Sequence, residues 1–90
     1  MTFEKLASEV GKLTEIKDKA YGSSFACCGE FLKILYPNGV KPEEYTDMLL
    51  IVRIFDKLMR IANAKEALGE SPYKDIAGYA LLGLKKDLSP

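Results

Sequence analysis

Apolar residues recur at spacings of three and four along nearly the whole chain, which is the period of an amphipathic α-helix. The pattern is interrupted by residues that favour turns around Gly22, Asn38-Gly39 and Gly69. We find no strand-like alternation, internal repeat, low-complexity tract or linker. The sequence therefore predicts one all-α domain of four helices over residues 1–90.

Capping residues delimit the predicted helices. Thr2 and Ser71 are suited to cap the first and fourth helices, and Pro42 suits the first position of the third. The third helix is apolar over more than one stripe, so we expect it to be the central element. The predicted ranges are about 3–20, 25–35, 42–67 and 72–84.

Length and charge limit the possible functions. A monomer of this size buries only about 60% of its unfolded surface, and 48% of the residues are hydrophobic against 29% charged. We therefore expect another copy of the chain to cover part of the apolar surface, in a homo-oligomer. The 13 basic and 13 acidic residues cancel, which argues against a nucleic-acid partner but leaves a small anionic ligand possible.

The sequence also predicts a cytoplasmic protein with no membrane partner. Its amino-terminal segment does not resemble a signal peptide, and the longest apolar run, residues 48–52, is too short to span a bilayer. Cys27 and Cys28 are adjacent, so a bridge between them would be strained, and there is no histidine to complete a mixed zinc site. We interpret them as reduced thiols at a packing surface; a reactive or metal-binding pair is the alternative.

The fourth predicted helix carries a single acid, Asp75, in an otherwise apolar segment. Burying an unpaired carboxylate costs several kcal/mol, so Asp75 should have a base, a metal, a helix end or a ligand as its partner. A short connection makes the third and fourth helices an antiparallel hairpin, in which Arg60 lies about level with Asp75. The plain interpretation is an ion pair between these two residues, with Tyr79 in the core.

Cationic residues on the third helix indicate a ligand instead. Arg53, Lys57 and Arg60 follow one another at steps of three and four along one face, which is more positive charge than one carboxylate needs. Guanidinium groups suit a phosphate, and tyrosines can stack on a nucleobase. The serines after Gly22 could donate to an anion. The candidate ligand-binding residues are Tyr21, Gly22, Ser23, Arg53, Asp56, Lys57, Arg60, Asp75 and Tyr79; no catalytic or metal-binding residue is assigned.

Three segments resemble small phage proteins related to the MazG-like all-α nucleotide pyrophosphohydrolases. They are Lys-Asp-Lys-Ala-Tyr-Gly at 17–22, Arg-Ile-Phe-Asp-Lys-Leu-Met-Arg-Ile at 53–61, and Asp-Ile-Ala-Gly-Tyr-Ala at 75–80. The resemblance covers about residues 17–84, and the last segment is its most specific part. It implies a four-helix, intertwined dimer or tetramer with nucleotide sites between helices and subunits.

The chain departs from the acidic motif of those enzymes. Glu-x-x-Glu on one helix and Glu-x-x-Asp on the next hold their magnesium, which needs several oxygen ligands. Asp75 matches the final acid, but Pro72 stands three residues before it, and the third helix offers Arg53-x-x-Asp56. Cationic side chains repel magnesium, since each close contact between like unit charges costs roughly 1 to 4 kcal/mol at effective dielectrics of 80 to 20, whereas the same side chains attract phosphate. The sequence therefore favours binding without cleavage and without a cofactor.

Three hypotheses follow from the sequence. The first is a non-catalytic nucleotide-binding oligomer of phage type that sequesters a linear or cyclic nucleotide signal of host defence in the host cytoplasm. The second is a magnesium-dependent nucleoside triphosphate pyrophosphohydrolase that uses Asp56 and Asp75, with Glu30 as a third acid. The third is a helical interaction module that blocks a host protein through an exposed apolar face.

Overall fold

The computed structural model describes residues 1–66 and 69–89 and confirms the prediction of an all-α chain. No strand occurs within these ranges. Over the same residues, no helix combines the length and apolarity needed to cross a bilayer. The helices are α1 (Phe3–Ala20), α2 (Ser24–Leu35), α3 (Tyr45–Ala64) and α4 (Pro72–Leu88), with a short 3-10 helix (Pro42–Glu44) before α3.

The capping predictions differ in outcome at the two helix starts. Thr2 caps α1 as expected, since its Oγ1 accepts a hydrogen bond from the backbone nitrogen of Lys5 at 3.2 Å. Ser71 has the extended backbone of an N-cap, but its side chain makes no cap hydrogen bond. Instead, the Ser71 carbonyl accepts the amide of Lys74, which closes the first turn of α4.

The predicted start of the third α-helix at Pro42 was wrong. Pro42 opens a 3-10 helix, closed by a hydrogen bond from the Glu44 amide to the Lys41 carbonyl, so α3 begins at Tyr45. The helix ends at Ala64, and the predicted end at Ala67 lies outside the described residues.

The fourth helix is longer than predicted. It continues past Leu84 to Leu88, and the basic residues Lys85 and Lys86 occupy its last turn. Cations at that end interact favourably with the helix dipole, which outweighs the low helix propensity of Gly83.

The central position of α3 is confirmed. Helix α4 packs along it as the second arm of a hairpin, and α1 and α2 contact it as well. Phe31 of α2 stacks on Phe55 of α3 with ring centroids 4.6 Å apart. Because every other helix contacts α3, residues on different faces of this one helix connect α4 to α1 and α2.

A large part of the apolar surface of the chain is exposed. The radius of gyration is 15.9 Å, against about 12 Å for a compact chain of this length. The accessible surface is 7,018 Å², where about 5,200 Å² is typical of a monomer of this mass. Most of α1 contributes to the excess, since only Ala20 of this helix is buried. Its exposed apolar stripe consists of Phe3, Leu6, Val10, Leu13 and Ile16.

The connection between α1 and α2 depends on Gly22. Gly22 and Ser23 both have left-handed backbones, with φ of +59° and +57°. The Ser23 amide donates to the Asp18 carbonyl at 2.9 Å and thereby closes the end of α1. A Cβ at position 22 would overlap the side-chain amide of Asn63 on α3. A glycine is therefore required here both by the backbone and by the close approach of α3.

We predict that Gly22→Ala destabilises the chain more than Gly39→Ala does. Gly39 also has a positive φ, but nothing lies near its missing Cβ, so that variant measures the backbone cost alone. The expected losses are about 2 kcal/mol or more for Gly22→Ala and roughly 1 to 2 kcal/mol for Gly39→Ala, measured by chemical denaturation. Adding Asn63→Ala to Gly22→Ala should recover the difference. Equal losses at the two glycines would contradict the close approach.

Candidate ligand-binding cavity

The polar residues predicted to share one face of α3 lie in two directions. Asp56 is directed toward α2, where it accepts a hydrogen bond from the Ser24 hydroxyl. Arg53 and Lys57 are directed toward α4. The predicted cationic set therefore does not surround one hollow.

Lys57 is the partner of Asp75. Its ammonium lies 3.0 Å from the Asp75 carboxylate and donates to the Tyr21 hydroxyl at 3.2 Å. The two charged side chains are only 14% and 28% exposed. The expectation that Asp75 has a partner is confirmed, and the partner is a base. The predicted pairing with Arg60 was wrong.

The neighbours of Lys57 favour its charged form. Burial alone lowers the pKa of this ammonium, but its hydrogen bonds to Asp75 and Tyr21 and the nearby negative charge outweigh burial. The pKa of Lys57 therefore lies above its ordinary value of 10.5. The Lys57–Asp75 pair is thus a charged contact at neutral pH that joins α3 to α4.

Arg60 serves the connection that follows α3. Its side chain is buried, with 2% of the residue exposed, and Nη2 donates to the carbonyls of Lys65 and Glu70. Carbonyls near a helix end lack helical partners, and the guanidinium supplies one. Arg60 misses Asp75 because these carbonyls already hold its guanidinium.

Arg53 and Tyr79 contact one another across the α3–α4 hairpin. The Arg53 guanidinium lies over the Tyr79 ring, 5.9 Å from its centroid, in a cation–π arrangement. Arg53 is exposed and Tyr79 is partly buried. Both residues were predicted to contact a ligand, but neither lines the cavity between α1, α2 and α3.

That cavity has a volume of about 330 Å³. Of the predicted ligand-binding residues, Tyr21 and Asp56 line it. Gly22 and Ser23 belong to the adjoining α1–α2 connection, and Lys57 and Asp75 are linked to it through Tyr21. The complete lining is Thr14, Lys17, Asp18, Tyr21, Ser24, Phe25, Cys28, Val52 and Asp56.

The charge of the cavity differs from the expectation of a cationic hollow. Lys17 is the one cation in its lining, beside the carboxylates of Asp18 and Asp56. Burial, and then the charge of Asp56, raise the pKa of the Cys28 thiol, so this thiol is neutral at physiological pH. The cavity thus combines two aromatic rings and neutral polar groups with a small number of charges.

Several lining residues were missed in the sequence. Lys17 and Phe25 are among them. A signal was nevertheless present, because Thr14, Lys17, Asp18 and Tyr21 recur at the spacing of one helical face. These residues lie opposite Ser24 and Asp56 because of the way α1 packs against α3. The spacing of residues along one helix does not reveal that packing.

A second cavity, of about 320 Å³, lies near the carboxyl ends of α1 and α3. Lys19 and Asn63 are its polar lining residues, and the Asn63 side-chain amide already donates to the Met59 carbonyl at 2.7 Å. This cavity has no aromatic ring in its lining, so the first cavity is the better candidate site.

Comparisons of the chain with protein-family models, with curated proteins and with solved structures found no match. The resemblance to MazG-like proteins therefore stays a prediction.

We predict that Lys57→Met lowers the free energy of unfolding by roughly 1 to 3 kcal/mol at pH 7, because it leaves a partly buried carboxylate unpaired. Lys86→Met is the matched control. Lys86 pairs with Asp47 at 3.1 Å, but these side chains are 40% and 54% exposed, so the loss should be about 0 to 1 kcal/mol.

The stability difference between wild type and Lys57→Met should depend on pH. Since the folded-state pKa of Lys57 is raised above 10.5, the stabilisation is complete below that pH. It is lost as the pH rises through the folded-state value. Denaturation at pH 7 to 11.5 checks the sign, and a difference that grows at alkaline pH would contradict the charged contact.

Proposed function

We propose that the chain is a non-catalytic nucleotide-binding protein whose site is the cavity between α1, α2 and α3. The observation that carries the proposal is the combination of two aromatic residues, Tyr21 and Phe25, with one cation, Lys17, in a cavity of about 330 Å³. Small-molecule sites typically measure about 300 to 1,000 Å³ and are mostly apolar with a few polar groups. A nucleobase, a sugar and a phosphate have the matching chemistry.

Phe25 supports a ligand at this site through its exposure. The ring lines the cavity although 95% of the residue is exposed. An aromatic ring on a base contributes about 1 to 3 kcal/mol by stacking. Phe25 therefore offers a stacking surface that folding of the chain leaves unused.

The charges favour a ligand with few phosphates. A triphosphate would bring several negative charges to a lining with one lysine and two carboxylates. A mononucleotide or a cyclic nucleotide brings less negative charge, so its contact with Lys17 is opposed by less repulsion from the two carboxylates. The proposed ligand class is therefore mononucleotides and cyclic nucleotides.

The contacts of the acids support binding over hydrolysis. Asp56 is hydrogen-bonded to Ser24, while Asp75 is paired with Lys57. Glu30, the third acid of the pyrophosphohydrolase hypothesis, is exposed and pairs with Lys33 on its own helix at 3.0 Å. Each carboxylate thus has a different partner, whereas magnesium needs several carboxylates directed at one point.

We also propose that the chain functions as a homo-oligomer. The exposed stripe of α1 and the excess accessible surface support this assembly, because a typical stable interface buries about 800 Å² of each partner. Four acids and four bases alternate along the rest of α1, so a second copy meets no excess of like charge. A helical module that blocks a host protein would use the same exposed stripe.

Binding without cleavage lowers the free concentration of a nucleotide when the protein is abundant enough. We therefore propose sequestration of a nucleotide signal as the biological role, in keeping with the phage proteins that the sequence resembles. The proposed location is the cytoplasm, where reducing conditions keep thiols such as Cys27 and Cys28 free.

We predict binding of at least one member of a panel of nucleoside mono-, di- and triphosphates and cyclic nucleotides, measured by calorimetry. Lys17→Ala should weaken binding about tenfold or more, because a charge-assisted contact contributes about 1.5 to 3 kcal/mol. Lys12→Ala is the control, since it removes the same charge from the same helix at a residue outside the cavity lining. An absence of binding across the panel would remove the proposal, as would equal effects of the two substitutions.

We predict that the wild-type chain sediments as an oligomer and that Val10→Glu shifts it toward the 10.0 kDa monomer. Val10 is 59% exposed in the single chain, so its replacement should cost folding little. Burying a glutamate in the interface costs several kcal/mol, so the dissociation constant of the oligomer should rise at least tenfold.

Ser8→Glu on the opposite face of α1 is the control and should leave assembly unchanged. Analytical ultracentrifugation over a range of concentrations measures both variants. A monomeric wild type would contradict the homo-oligomer, and the exposed stripe would then be a surface for a different protein.

A further inference from the structure

We propose that Asp56 makes the cavity selective for guanine among the nucleobases. This inference rests on the proposed function, since it names the ligand class of the same site.

Asp56 is held in place on one side only. The hydroxyl of Ser24, a residue with 5% exposure, donates to its Oδ1. Among the described residues, Oδ2 accepts no hydrogen bond and the carboxylate forms no ion pair. A carboxylate offers about four lone-pair sites on its two oxygens, so both oxygens can still accept from a ligand.

The surroundings of Asp56 strengthen its preference for a hydrogen-bond donor. The residue is partly buried, and Cys28 beside it carries a neutral thiol. Hydrogen bonds to an ionised group are stronger than those between neutral groups, and an acceptor left unpaired once a ligand has displaced the water around it is costly. A bound base is therefore favoured if it directs donors, and no acceptor, at this carboxylate.

Guanine alone offers two adjacent donors. Its N1–H and its N2 amino group lie side by side, so they match the two oxygens of a carboxylate. The amino groups of adenine and cytosine lie beside a ring nitrogen that accepts, and the single N–H of uracil lies between two carbonyls. Each of these bases would direct an acceptor at Asp56, and a site built for a donor rejects ligands that lack it.

Tyr21 and Phe25 determine the plane of the base rather than its identity. Both rings line the cavity with Asp56, and stacking on an aromatic ring tolerates any base. Selectivity should therefore come from the edge of the base. Asp56 accepts a hydrogen bond from Ser24 across this cavity, and we infer that its carboxylate recognises the edge of the base.

The test compares the affinities of GMP, IMP, AMP and XMP for wild type and for Asp56→Asn by calorimetry. Wild type should bind GMP about tenfold more tightly than IMP, which lacks the N2 amino group, and about a hundredfold more tightly than AMP. Asp56→Asn presents one acceptor and one donor, which match the N1–H and the C2 carbonyl of xanthine. This variant should lose GMP binding at least tenfold and should bind XMP more tightly than wild type does.

The outcomes separate the inference from the proposed function. Equal wild-type affinities for GMP, IMP and AMP would overturn the role of Asp56 while nucleotide binding stands, as would an equal loss of all ligands in Asp56→Asn. No binding of any nucleotide in the wider panel would remove both proposals. Circular dichroism checks that the variant is folded; if it is not, the wild-type ratio of GMP to IMP decides.

Discussion

The ammonium of Lys57 lies between the carboxylate of Asp75 and the hydroxyl of Tyr21, and it thereby joins α3 to α4 and to the end of α1. The packing of α4 and the place of the Tyr21 ring both follow from this contact. It holds the first turn of α4 against α3, near the end of the hairpin where the two helices are connected. It also positions the Tyr21 ring as a wall of the cavity, because the same ring carries the hydroxyl that Lys57 bonds.

The contact also explains why the cationic residues do not form one anion site. The positive charge of Lys57 is balanced by the carboxylate of Asp75. Arg60 donates to the carbonyls of Lys65 and Glu70, and Arg53 lies over the Tyr79 ring. Three cations that follow one another on α3 thus have three different partners. The remaining charges in the cavity are few, so the chemistry of its aromatic rings and of Asp56 supports selection of a base more than of a long phosphate chain.

A second constraint is the small interior of the isolated chain. In the described residues, the buried apolar side chains are Ala20, Cys28, Phe55 and Pro72, whereas the apolar stripe of α1 faces solvent along its length. Burial of apolar surface is the main source of folding free energy. The exposed stripe therefore supports the proposal of a second copy. The α1–α2 connection at Gly22 sets the orientation of α1 and hence the direction in which the stripe faces.

The all-α fold, the approximate helix ranges, the cap at Thr2 and the need of Asp75 for a partner could all be predicted from the order of the amino acids. These features are local, because they depend on periodicity, on capping residues and on the cost of burying one carboxylate. The sequence did not contain the identity of that partner or the place of the cavity. Helix packing brings Lys57 rather than Arg60 to Asp75, and it directs Asp56 toward α2. The physical reason is that the rotation and offset of packed helices determine which side chains meet, and neighbours on one helix such as Asp56 and Lys57 can thereby contact different elements.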